Sequence, residues 1–173
     1  KKSSAFGIFN KASEERSSAF GYNSLATGRE SLAAGYKNTA NGESSSSVGW
    51  QNSADGHYAS SFGYENKASG KRSSAFGYLN KASGELSSAF GAYNIASEYG
   101  SSAFGLQNTA SGRESSAFGH LNLASGKNSL AFGNQYEVTG ETSGAFGVGE
   151  YNGQYQYKNE GNNSYMIGNF NKI

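Results

Sequence analysis

One period governs the whole chain. A single residue followed by glycine recurs at Phe6, Phe20, Ala34, Val48, Phe62, Phe76, Phe90, Phe104, Phe118, Phe132 and Phe146, with a glycine next each time, from Gly7 to Gly147. Every step is fourteen residues. Six places after this anchor stands Ala12, Ala26, Ala40, Ala54, Ala68, Ala82, Ala96, Ala110 or Ala124, and then Val138. A second glycine follows eight places after the anchor in most copies, Glu14 and Glu98 being the exceptions. Self-similarity at a fixed period is the mark of a repeat architecture.

The period excludes the simpler alternatives. Two glycines in every fourteen residues are incompatible with helix. A flexible Gly/Ser linker does not hold register and is poor in aromatics, whereas 14% of this chain is Phe, Trp or Tyr. Each unit reads instead as two short strands, "SSAFG" and "NKAS" in the copy at residues 73–86, joined by turns of Gly, Asn and Ser. Fourteen residues allow one circuit of a narrow parallel β-solenoid. Eleven circuits spaced ~4.8 Å apart give a rod ~50 Å long. Identical residues then stack in columns.

The Phe column is expected to fill the inside, or one buried face, with the Ala12-to-Ala124 column completing the layer. Side chains alternate along a strand, so Ser74 and Phe76 face one way and Ala75 the other. The all-small column Ala5, Ala19, Ala33, Ala75, Ala89, Ala103, Ala117, Ala131 and Ala145 suits close packing against another chain. So small a core rarely stands alone, and a cyclic assembly would cover what a lone coil exposes. The paired serines are expected to form hydrogen-bonded ladders.

Chemistry-bearing patterns are sparse. The net charge is +1 and there is no basic stripe for nucleic acid. There is no cysteine, so no disulfide or thiolate metal site. His57 and His120 lie on turn-like positions of different coils, and neither has a partner at metal-ligand spacing. A phosphate-binding loop, a nucleophile elbow and the calcium-binding nonapeptide are all missing. No cofactor and no catalytic residue is expected. No apolar run is long enough to cross a membrane.

Two features suggest a binding surface. Two places after the anchor, Tyr22, Tyr36, Trp50, Tyr64 and Tyr78 form five consecutive aromatics, either a stabilising stack or an exposed stripe of the kind enriched at interfaces. The register breaks once: from Phe146 to the next anchor, Ile167, the step is 21. The stretch at 148–163, carrying Tyr151, Tyr155 and Tyr157, is expected to leave the rod as a loop. The expected organisation is repeat head at 1–147, insertion at 148–163, and the start of a further, truncated repeat at 164–173. The chain enters and ends within the repeat, which reads as a piece of a longer protein.

These residues carry a resemblance. "SSAFGYLNKASGEL" is similar to the fourteen-residue head repeat of the trimeric autotransporter adhesins of YadA type, in which a small–Ala–aliphatic–Gly run precedes an Ala-x-Gly. This chain departs from the pattern by placing Phe where Ile or Val is usual, and it carries no neck motif, stalk heptads or membrane anchor. The resemblance implies an all-β, left-handed parallel β-roll of 14-residue coils, assembled as a homotrimer. It implies display on a bacterial outer membrane and adhesion to a host matrix protein (collagen or fibronectin) or a receptor of the carcinoembryonic-antigen-related type, and no enzyme activity. A spacer without a ligand of its own is the main alternative, and an ice-binding solenoid a lesser one.

Overall fold

The computed structural model describes residues 2–147 and 157–168. Over these the chain is a parallel β-solenoid of about ten turns of roughly fourteen residues, with no helix. Each turn contributes a long strand, such as Ser74–Tyr78, to a 12-stranded sheet and a short one, such as Lys81–Ala82, to an 11-stranded sheet. Pairing is parallel and strictly in register: Ala75 lies on Ala89, Phe76 on Phe90, Lys81 on Ile95. The two strands expected in each repeat are therefore present, the long one running one residue past the anchor glycine.

Three backbone devices bend each coil. The anchor glycine takes a φ that disfavours side chains, +117° at Gly77, and a Cβ there would lie 2.1 Å from the carbonyl oxygen of Gly91 in the next coil. Both demands, positive φ and close approach, require glycine. The two corners use left-handed residues of ordinary type, Leu79 at φ 54° and Leu86 at φ 60°. Their backbone N–H groups are satisfied by the preceding coil, donating to the carbonyls of Tyr64 and Lys71.

The interior reverses the expectation from sequence. The columns of Ala19, Ala33, Ala75, Ala89, Ala103, Ala117, Ala131 and Ala145 are 0% exposed within a single chain, so they form the core of the coil and cannot pack against another chain. Ala5, of the same column, is exposed only in the end coil. The phenylalanines point outward. The reason is cross-section: in a circuit closed by strands of five and two residues, the sheets lie too close to admit a phenyl ring. The second alanine column is buried as expected, with Ala26 and Ala82 at 0%. A buried methyl contributes on the order of 1 kcal/mol, so each coil gains little from apolar burial.

Hydrogen bonds supply much of the rest. A buried asparagine stands four places after the anchor at Asn38, Asn52, Asn66, Asn80, Asn94, Asn108 and Asn122. Asn80 Nδ2 donates to Asn66 Oδ1 (3.0 Å), the Phe76 carbonyl (2.9 Å) and the Gly91 carbonyl (2.6 Å). Its Oδ1 accepts from the backbone N–H and Nδ2 of Asn94 at 3.0 and 3.1 Å. The result is a continuous amide ladder from Asn38 to Asn122. The serines do not form the expected ladder with one another; Ser73 and Ser87 each donate to the carbonyl three residues back, at 2.7 Å, closing the turn.

At the C-terminal end the ladder stops. Tyr136 takes the asparagine position, fully buried, and its hydroxyl donates to the Gly168 carbonyl at 2.9 Å. Tyr157 pairs with it in register, their ring centroids 5.2 Å apart. The strand Tyr157–Asn159 thus falls inside the segment expected to loop out, and Tyr157, 7% exposed, is a core residue rather than a binding one. The two tyrosines fill the interior next to the point where the step lengthens to 21.

Candidate binding face

The long sheet shows solvent three columns of side chains. In most layers they are a serine, the anchor Phe and the residue two places later, as in Ser74, Phe76 and Tyr78. Because coils repeat in register, the Phe rings stack: Phe62, Phe76, Phe90, Phe104 and Phe118 have centroids 4.9 to 5.0 Å apart and planes within 11° of parallel. Each ring hides the faces of its neighbours and leaves its edge outward, so these five are half-buried. The face is five residues wide and twelve strands tall, roughly 17 by 55 Å, or about 900 Å².

Beside it runs the second aromatic column. Tyr22, Tyr36, Trp50, Tyr64 and Tyr78 stack in sequence, with centroid separations of 5.3, 3.9, 6.4 and 5.0 Å. Tyr22, Trp50, Tyr64 and Tyr78 are exposed, Trp50 at 42%, and Tyr36 is half-buried. The column is both a stack and an exposed stripe. It presents ring edges, so a flat sugar ring has no aromatic face to lie on. The Tyr64 hydroxyl, hydrogen-bonded to Glu65, and the Tyr78 hydroxyl, hydrogen-bonded to Tyr93, are held above the ordinary phenol range and stay protonated. Trp50 Nε1 donates to Gln51 Oε1 at 2.7 Å.

The turns after the short strands carry ion pairs between coils. Arg16 pairs with Glu30 at 2.8 Å, and Glu43 bridges Arg29 and His57, one coil apart on either side. Arg29 holds the Glu43 carboxyl below the usual range, chiefly by hydrogen bonding and then by charge. His57 lies in a turn as expected, whereas His120 ends a long strand in the column of Tyr78. Among the described residues no group of three His, Cys, Asp or Glu side chains could hold a metal ion, and no helix is long and apolar enough to cross a membrane. Tyr151 and Tyr155 lie outside the described residues.

What sequence reasoning missed is the asparagine column. The signal was present, since Asn recurs four places after the anchor at Asn10 and from Asn38 to Asn122. The asparagine that opens the expected second strand "NKAS" is buried just before the observed one, Lys81–Ala82.

A rod of stacked fourteen-residue coils, small inside and aromatic on one long flat face, is a repeat protein built to present a surface rather than to enclose a pocket. Its repeats match the model of the YadA head domain repeat, which spans two copies, over residues 1–24, 26–52, 54–80, 82–108 and 110–135. The chain belongs to that family, the heads of trimeric autotransporter adhesins. No curated protein matches it.

Proposed function

We propose that this chain is the head of a bacterial surface adhesin that assembles as a homotrimer, with the Phe column turned towards the neighbouring copies. The observation that carries this reading is the outward Phe stack. A partner that meets rings every 4.9 to 5.0 Å from Phe62 to Phe118 must repeat at the same spacing, and another copy of this chain does. Without the aromatic stripe the Ser and Phe columns cover roughly 10 by 55 Å, about 550 Å², below the ~800 Å² per partner of a standard interface. The matching period and not the area therefore carries the reading. The trimer face is thus assigned to the phenylalanines in place of the alanines.

The aromatic stripe from Tyr22 to Tyr78, at the edge of that face, is then left to contact a host receptor or matrix protein such as collagen, fibronectin or a carcinoembryonic-antigen-related molecule. Tyr151 and Tyr155 are further candidates. Display at the bacterial outer membrane belongs to the same reading, as the family implies. Ice binding finds little support: the long face is aromatic, and the outward column of the short strands mixes Lys67, Lys81, Ile95 and Thr109.

Sedimentation equilibrium tests the assembly, with three times the 18.1 kDa chain mass expected. A stable monomer would overturn it. Surface plasmon resonance of the natural chain and Trp50→Ala against immobilised collagen, fibronectin and receptor ectodomains tests the adhesin role. Loss of a measured affinity in the variant supports the stripe; no binding to any of them by a trimeric head favours the spacer.

A further inference from the structure

A rod that pairs with its copies through a face repeating every ~4.8 Å has many nearly equivalent heights. Sliding one copy by a single coil brings rings back onto rings and loses one layer among twelve strands. Two adjacent layers break this degeneracy. The usual layer, Ser74–Phe76–Tyr78, is large at its centre. In the layer Leu32–Ala34–Tyr36 the bulk has moved from centre to flank, and in Ser46–Val48–Trp50 the centre is again short while the other flank carries the chain's only tryptophan. Both layers keep the fold's register, with Ala34 on Val48 and Tyr36 on Trp50.

A contrasting layer shows that the exchange matters. Leu130 stands on the same flank as Leu32, beside a retained Phe132. There the ring is thrown out of the stack, tilted 36° from Phe118 with a centroid separation of 6.2 Å. A leucine on that flank and a phenyl at the centre crowd each other. At Leu32 the centre has been emptied.

We propose that these two layers are the register key of the assembly: the Leu32 side chain of one copy enters the hollow over Ala34 of the next, fixing all copies at one height. The inference rests on the assembly reading above. The partner is a second copy, because the partner surface must repeat with the same period and carry bulk and hollow at the same level. A slip of one coil sets Leu32 against Phe20 in one direction and Val48 in the other, both larger than Ala34.

The test moves the key. A chain carrying Ser18→Leu, Phe20→Ala, Leu32→Ser and Ala34→Phe has the same composition with bulk and hollow one coil earlier; it is labelled with ¹⁵N, refolded with the natural chain in equal amounts and analysed by native mass spectrometry. Random mixing of a trimer puts about three quarters of assemblies in mixed species, as labelled and unlabelled natural chains must show. The key predicts that mixed species with the moved-key chain fall to less than half of that share. The moved-key chain can also match the natural one by slipping a single coil. The erased-key chain Leu32→Ser/Ala34→Phe, which offers no hollow at any such slip, is therefore run beside it with the same expectation. Leu32 of the natural chain then meets a phenyl ring where the hollow was, and random mixing of the erased-key chain overturns the proposal. Monomers of the natural chain overturn the assembly reading itself and are told apart by mass.

Discussion

Replacing Asn80 by alanine removes a buried side chain that touches three coils. The backbone N–H of Asn94, 0% exposed, donates to Asn80 Oδ1 and loses that acceptor. The carbonyls of Phe76 and Gly91 lose an amide donor, whereas Asn66 Oδ1 keeps the backbone N–H of Asn80. One orphaned buried donor costs about 1–3 kcal/mol, and the bonds lost beside it about 1 kcal/mol each where nothing replaces them. Asn80→Ala should therefore destabilise by roughly 3–5 kcal/mol. Urea unfolding followed by circular dichroism, at one protein concentration so that assembly is held fixed, measures it. Ser88→Ala, on the outward flank of the next coil, is the control and should change little. Asn80→Asp should be worse at neutral pH, because a buried carboxylate would face three oxygen acceptors. Its folded-state pKa would be raised, so its stability is greatest below the ordinary aspartate value and is lost as pH rises through the folded one. A loss below about 1 kcal/mol for Asn80→Ala would refute the ladder as a source of stability.

Three further outcomes are expected. Ala75→Leu should destabilise the monomer by at least about 2 kcal/mol through overpacking, read by the same urea curves; an intact fold with altered assembly alone would return the alanines to the interface. Ser24→Asn should complete the ladder between Asn10 and Asn38 and raise the unfolding free energy by about 1 kcal/mol. Glu43, whose pKa Arg29 depresses, contributes stability above the ordinary glutamate range that is lost as pH falls through its lowered value. Glu43→Gln should flatten that acid limb in melting temperature against pH.

Much of the backbone was legible and its polarity was not. The period, the two strands and the alternation within "SSAF" follow from spacing, because in-register stacking requires nothing else. Which side is inside depends on coil width, and the rule that large apolar residues are buried pointed the wrong way for Phe76 and Ala75. The corners left no signature either: Lys37, Leu79 and Tyr93 all adopt left-handed φ there, held by ladder hydrogen bonds rather than by residue type. Tyr157 was read as a loop residue because the 21-residue step hides its register with Tyr136, which pairing alone reveals.

This inverted arrangement separates what holds the fold from what the molecule shows. The inward columns of Ala, Asn and Gly are small and nearly uniform up to Tyr136, and at the glycines an added Cβ would strike the next coil. The outward columns are free to vary, and they do: the position after each anchor glycine runs Ile8, Tyr22, Tyr36, Trp50, Tyr64, Tyr78, Ala92, Leu106 and His120 without disturbing the pairing. A rod of this kind can exchange one exposed stripe for another at little cost to stability. It also leaves its phenylalanines and its tryptophan on the outside, where a partner of the same period would relieve their contact with water. The proposed assembly and the variable surface thus share one origin, a coil whose interior is filled by alanine and asparagine and whose phenylalanines face outward.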